Sequence, residues 1–454
     1  MERHIENFGV SGFSDISLTS PLSLAMLIAA IVATFSVRRD TALIPMIVIL
    51  CIVPFSHRLS IATVDFPFVR LLIMALVARA VFFGERPHHP MLLPEKLIVG
   101  FIVIFGLVSG LSGGGWMAEI GRTVTLLLLA YAVRVYVSQA QLMAITTVAA
   151  LISFPTALAF WHEHTTTDNL YRAFGGISDA TNIRMGEVRA RGPFFHPIYA
   201  GVFWITFSCF FIWRGLIATT LVRRAYWMAA VVATVVVGFS TSSSTPIMGF
   251  AAIVMCWCAF WARDYRKWFL PGTAVVVIAL DVVMKAPVWH LIARVGSAEG
   301  STSYFRFKLI DAFFANVGEW FFLGTRSTAH WFWGAQDIVN QFVYYGVRGG
   351  AASLFLFIAV VWMTIRLLSK RFEQAPTKTR AERNTRLLIW AFLASISASL
   401  ITFIGVSYFG QIATQLYMII FGGLAFARTL GAEQKAPSQA SLRMKRRRLA
   451  RAEA

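Results

Sequence analysis

"RARGPFFHPIYAGVFWITFSCFFIWRG", residues 189–215, decides the class of this chain. From Pro197 to Trp213 no side chain is charged. A helix needs about 20 such residues to cross a bilayer core. Arg214 closes the run on one side. Arg189, Arg191 and His196 crowd the other, where Pro197 pre-sets the first helical turn. The pattern recurs in both directions along the chain. Apolar runs stand at 19–36, 41–55, 67–83, 97–112, 119–137, 141–160, 197–213, 226–240, 247–262, 268–285, 349–367, 387–406 and 411–427. They predict an all-α fold, a polytopic helical membrane protein with about 12–13 transmembrane helices in a single domain over 1–454. Thirteen crossings put the N-terminus outside. If 19–55 is a re-entrant hairpin, or one of its runs does not span, twelve put it inside.

Composition agrees. Of 454 residues, 57% are hydrophobic and 14% charged, where a soluble domain carries about 25% charged residues. The alternating pattern of a β-barrel is missing. A net charge of +19 invites a nucleic-acid reading. Most Lys and Arg, however, fall in short loops and the tail, as membrane topology requires, so no nucleic-acid partner is expected. Cys51, Cys209, Cys256 and Cys258 all lie in apolar runs and read as small core residues. No internal repeat is visible, which weighs against the repeat-built transporters. The polar N-terminus lacks a cleavable-signal pattern.

Orientation follows from the basic loops. Arg38 and Arg39 mark one, Arg214, Arg223 and Arg224 a second, Arg263, Arg266 and Lys267 a third, and residues 369–386 a fourth. They alternate consistently if the basic tail, 429–454, is cytoplasmic, where it meets lipid headgroups. A first loop, 161–196, and a large one, 286–348, then lie outside. These outer loops also carry arginines, among them Arg172, Arg184, Arg189, Arg191, Arg294, Arg306, Arg326 and Arg348. Positive charge outside runs against the topology rule and needs another cause. In the large loop Phe305, Leu309, Ala312, Phe313, Val317 and Trp320 recur at helical spacing, with Arg306, Lys308 and Asp311 mainly off that stripe. An amphipathic helix lying in the interface is expected. A ligand that suits outer arginines is a polyprenyl diphosphate, whose diphosphate sits at the interface. Guanidinium offers phosphate a planar fork and keeps its charge.

Four stretches carry a resemblance to a known family. "RARGPFFHPIYAG" (189–201) resembles the Arg-x-x-Gly-x-Phe-x-x-Pro stretch of the O-antigen ligase and polymerase superfamily. "FSTSSSTPIMGF" (239–250) is similar to its Ser-rich segment, and "GSTSYFRFKLIDAF" (300–313) to its Ser-x-x-Arg helix. "FLGTRSTAHWFWGAQDIVNQFVYYGVRGGAASLFLF" (322–357) resembles the end of its periplasmic loop and the next span. The likeness covers about residues 180–360. It implies an inner-membrane glycosyltransferase that takes an undecaprenyl-diphosphate-linked glycan in the periplasm. It also implies that Arg189 or Arg191, with Arg306, meets the diphosphate. Ala335 and Gln336 stand where the family's ligases carry a His-Asn pair, and Pro246 stands where they show Arg-Gly. Both departures favour a polymerase.

Single residues carry two readings each. Asp337 is a base for the acceptor hydroxyl, or the N-cap of the span that follows. His330 is the alternative base, or an interfacial packing residue among tryptophans. His196 orients Arg191 or touches phosphate, or only opens its helix. Arg70 and Arg122 are further cations near the diphosphate, or snorkel to an interface. Arg134 reads as topogenic. The outer acids are scattered, so neither a metal nor another cofactor is expected.

The expected function is polymerisation of a polyprenyl-diphosphate-linked oligosaccharide into a surface polysaccharide or exopolysaccharide. Membrane lipids and a chain-length regulator are the expected partners. The alternatives are a ligase acting on a lipid A core, and a transporter or flippase for the same lipid. Proton-coupled transport would call for acids at mid-membrane. Only Asp281 is a candidate.

Overall fold

The computed structural model describes the chain from residue 17 to 435, except 62–63, 88, 114, 179–180, 185, 264 and nearly all of 266–301. Helices α1 (Pro21–Ser36), α2 (Ile44–Ile52) and α3 (Phe68–Phe82) come first, with a hairpin of β1 (Arg58–Ile61) and β2 (Val64–Pro67) before α3. Then follow α4 (Leu93–Leu111), α5 (Trp116–Tyr136) and α6 (Gln139–Thr166). The short hairpin of β3 (Ile183–Arg184) and β4 (Glu187–Val188) leads to α7 (Pro197–Ile217), α8 (Leu221–Ser240) and α9 (Ser244–Cys258). The chain resumes with α10 (Thr302–Ala315) and α11 (Val317–Trp320). It finishes with α12 (Gln341–Gln374), α13 (Arg380–Thr402) and α14 (Gly410–Lys435).

Eight of these, α4 to α8 and α12 to α14, are long and apolar enough to cross a membrane. α1 and α9 are shorter apolar helices of 16 and 15 residues. The protein is an all-α, multi-pass membrane protein. The expected run 41–55 contracts to the nine-residue α2, about 13 Å of helix, which is too short to span alone. Residues 53–57 carry the chain the rest of the way without helix. The expected run 268–285 lies outside the described residues, apart from isolated positions.

The helices that border the two loops expected outside extend further into them than hydropathy suggests. α6 continues to Thr166, past the expected end at 160, and α12 begins at Gln341 rather than 349. Charged or polar turns at helix ends are still helical. They lower the local hydropathy without ending the backbone hydrogen bonding. Asn340 caps α12, its Oδ1 accepting from the amides of Phe342 and Val343 at 2.9 and 3.2 Å. The N-cap reading of Asp337 is therefore corrected. α12 breaks at Gly350, whose φ of 70° is open to glycine. There the amide of Ala351 leaves its own helix and donates to Phe321 O at 2.8 Å, which ties the chain after α11 to the break.

α7 and α14 are the most enclosed spans and α5 the least. α7 packs along α8 and also against α9 and α13. Two ends of the bundle can be told apart by their contacts. One gathers Ser20, His57, the β1–β2 hairpin, the start of α5, the 167–196 loop, the α8–α9 turn, α10 and the α13–α14 turn. The other gathers Arg39, Arg79, Glu85, Glu95, Arg134, Arg214, Arg380 and Arg428. Arg39, Arg214 and Arg380, from three of the basic loops that set the expected orientation, lie at this second end.

Candidate functional site

The first end is built around the Ser-rich turn joining α8 to α9. Ser242 sits there at a φ of 43°, a conformation that side chains other than glycine seldom adopt. Ser243 opens α9 without capping it: its hydroxyl donates to Thr241 O at 3.0 Å. The first turn of a 15-residue helix therefore keeps free amides and the positive end of its dipole.

Two buried arginines flank this turn. Arg189 is 6% exposed; its Nε donates to Thr241 O at 3.3 Å and its Nη2 to Ser243 Oγ at 2.5 Å. Arg306, also 6% exposed, donates from Nη2 to Thr245 Oγ1 at 2.9 Å and to Gly405 O at 3.2 Å. Its Nε has no protein partner. Gly405 makes this approach possible, since a Cβ there would stand 2.8 Å from Thr245 Oγ1 and 3.1 Å from the guanidinium carbon. Among the described residues no carboxylate bonds either arginine. Burial pulls both guanidinium pKa values down, and the charge of Arg184 pulls them further. Arg184, on the exposed β3–β4 hairpin, thus adds a third cation to the group.

Arg306 is a correction. Sequence periodicity puts it mainly off the apolar stripe of α10, yet it is buried beside Leu309 and Phe313, at spacings of three and four. The inward face of α10 is apolar except where it meets the α8–α9 turn.

His196 caps α7: its Nδ1 accepts from the amide of Ile198 at 3.2 Å. Burial lowers its pKa, and the charges of Arg189, Arg184 and Arg191 lower it further, to about 3. The ring is therefore neutral, with its proton on Nε2, the nitrogen left to meet a ligand. Arg191 turns elsewhere, donating from Nη2 to Ser178 O at 2.6 Å and feeling the charges of Glu163 and Arg172. Arg189 and Arg191 face different surroundings, although residues two apart share a side of a regularly extended chain, so the chain is not regularly extended between them.

Asp337 keeps contact with solvent, and partial burial raises its carboxyl pKa above the ordinary value. It lies within electrostatic reach of Tyr199, whose ring is 5.7 Å from that of His196. From Tyr199 an aromatic run passes through Phe409, at 6.5 Å, to Tyr344, at 5.1 Å. Arg122 donates to Tyr344 Oη at 2.8 Å, pairs with Glu119 and lies over the Phe105 ring. Arg70 bonds Thr125 Oγ1 at 2.8 Å and Asp65 O at 2.7 Å. Each of these two cations is held at α5, with partners separate from those of Arg189 and Arg306. His330 is exposed and pairs with Glu319 at 2.9 Å, an oxygen that Trp331 Nε1 also donates to at 2.9 Å. Its interactions run to that surface group and not to the arginines.

Sequence reasoning does not single out Arg184 as a ligand residue. The available signal is an arginine in a two-strand hairpin just before the Arg189 stretch. The described residues hold no cluster of His, Cys, Asp and Glu suited to a metal ion. Chemically, the Arg189–Arg306 group offers buried forked cations, free helix amides and a neutral histidine to a multivalent anion.

Fold and site together define a multi-pass helical membrane protein with a group of buried arginines at one end of the bundle. The chain matches no protein-family model and no curated protein.

Proposed function

We propose that this protein is a membrane glycosyltransferase that polymerises a polyprenyl-diphosphate-linked glycan into a surface polysaccharide or exopolysaccharide. One observation carries the reading. Arg189 and Arg306, far apart in sequence, are both buried, bond no carboxylate among the described residues and converge on one uncapped helix start. An isolated buried cation is expensive, and a diphosphate drawn from the membrane edge is an anion that would offset that cost.

In the reaction the bond between the glycan's anomeric carbon and the diphosphate oxygen breaks. A bond from that carbon to an acceptor hydroxyl forms, and polyprenyl diphosphate leaves with the electron pair. Negative charge grows on the leaving oxygen. Fixed guanidinium groups there stabilise the transition state more than the ground state. Asp337 takes the proton of the acceptor hydroxyl, with Tyr199 beside it. Burial supports that role by raising the basicity of the carboxylate. On this reading the basic loops face the cytoplasm, which supports a bacterial inner membrane with this end of the bundle in the periplasm and the C-terminus in the cytoplasm.

The test is polymerisation of a purified lipid-linked repeat unit by full-length protein in liposomes. Arg189→Ala should lose about 2–5 kcal/mol of transition-state stabilisation, a rate loss of about 30-fold to several thousandfold. Arg191→Ala, which points away, should stay within about fivefold, under about 1 kcal/mol. If Arg189→Ala keeps more than about a fifth of the wild-type rate, the diphosphate reading fails.

A further inference from the structure

Four successive backbone amides leave Arg189 to Gly192 in three directions. Arg189 N donates to Asn182 O at 2.8 Å, in the residues before β3, and Ala190 N to Ser240 O at 2.9 Å, at the end of α8. Arg191 N and Gly192 N donate to the two carboxylate oxygens of Glu163, at 3.1 and 2.9 Å. Glu163 is 6% exposed, near the end of α6. A third donor converges on it: Asn169 Nδ2 reaches Glu163 Oε1 at 3.2 Å and Gly192 O at 2.9 Å. The Gly192 peptide is thus held at its N–H by Glu163 and at its C=O by Asn169. Its φ of 53° and its contact with Phe160, where a Cβ would lie 2.3 Å from the ring, fix it a third way.

Glu163, Asn169 and Phe160 are not among the groups that bond the guanidinium of Arg189 or Arg306. Their common effect is on the chain two and three residues past Arg189. An ionised carboxylate fits three converging donors because it carries no donor of its own, and its charge strengthens each bond. An amide in its place would turn an NH2 toward a backbone N–H.

We infer that Glu163 is the positioning residue of the anion site: it holds the 189–192 chain so that the Arg189 guanidinium reaches Ser243 and whatever anion binds beside it. This rests on the glycosyltransferase reading for its effect on turnover, but not for its effect on anion binding. Glu163 itself meets no substrate. Its three donors use both carboxylate oxygens.

Two measurements test it on the full-length protein. The first is polymerisation by Glu163→Gln, Arg189→Ala and the double variant in liposomes. Misplacing a group by about 1 Å costs about a hundredfold in rate, so Glu163→Gln should be slower by about that factor. In the Arg189→Ala background the same change should cost less than about threefold, because the residue it positions is gone. An equal factor in both backgrounds makes Glu163 a structural residue and overturns the proposal, as does wild-type turnover in Glu163→Gln while Arg189→Ala is slow. The second is thermal stabilisation of the solubilised protein by inorganic diphosphate. Glu163→Gln should lose it as Arg189→Ala does, and a full shift in Glu163→Gln overturns the positioning role. If both variants lose the shift yet polymerise normally, positioning stands and the glycosyltransferase reading falls. Should Glu163→Gln fail to reach the membrane, Asn169→Ala carries the same comparisons.

Discussion

Buried arginines occur at both ends of this bundle, and they are treated in opposite ways. At one end Arg134 and Arg428 both reach Glu95 Oε1, at 3.1 and 3.2 Å, and Arg79 pairs with Glu85 at 3.3 Å. Glu95 also accepts from the amide of Leu92, the residue that opens α4, at 2.7 Å. Those arginines tie α4, α5 and α14 together, and α3 to the chain that follows α1. At the other end Arg189 and Arg306 have hydroxyl and carbonyl partners among the described residues, and both feel the charge of a third arginine, Arg184. A buried cation with its carboxylate is a staple. One without is a cost that a ligand can relieve. Burial alone does not separate the two, since Arg428, Arg189 and Arg306 are equally buried.

The largest expected effect is at the stapled end. Glu95→Ala leaves Arg134 and Arg428 buried without a counter-charge, at a cost of about 3–5 kcal/mol. Thermal unfolding in detergent should show it, while Arg189→Ala, which removes an uncompensated charge, should not lower the midpoint. Equal destabilisation by both would erase the distinction between the ends.

Next comes Arg306→Lys. It keeps the charge but loses the planar fork, so polymerisation should fall by about 30-fold or more, close to 2 kcal/mol. The protein should reach the membrane at its normal level. Wild-type turnover in this variant would remove Arg306 from the site, and the cationic end would then hold one functional arginine rather than two.

A third effect, of similar size, is at Asp337. Asp337→Asn should cost about a hundredfold. A base works only as the carboxylate, and burial raises this carboxyl pKa. The wild-type rate should therefore fall on acidification at a higher pH than the ordinary aspartate value of about 3.9 implies. The pH–rate profile of Asp337→Asn should lack that acid limb. An unchanged limb would assign it to another group and leave the arginine group without its proposed base.

Parts of the site were legible because their signals are local. Arg189 stands at an abrupt boundary between charge and apolar sequence. Asn340 before "QFVYYG" is a standard capping residue, and preferring Asp337 for that position overlooked the Asn next to the helix. Arg306 was found as a residue but placed on the wrong face, because a stripe count ranks an arginine as outward whatever it meets. Glu163 lies in "FWHEHTTT", which reads as a solvated helix end. Only the fold brings the amides of Arg191 and Gly192 onto it.

The sequence by itself determined a multi-pass helical membrane protein, most of its spans and the sides on which its charges cluster. Hydropathy acts residue by residue along a helix, so a linear reading captures it. Tertiary structure alone decided which arginines are neutralised and which are not. That depends on whether a carboxylate from another helix arrives within about 4 Å, where Coulomb energy between charges outweighs thermal energy even at high dielectric. Glu95 arrives at Arg134 and Arg428, and no described carboxylate bonds Arg189 or Arg306.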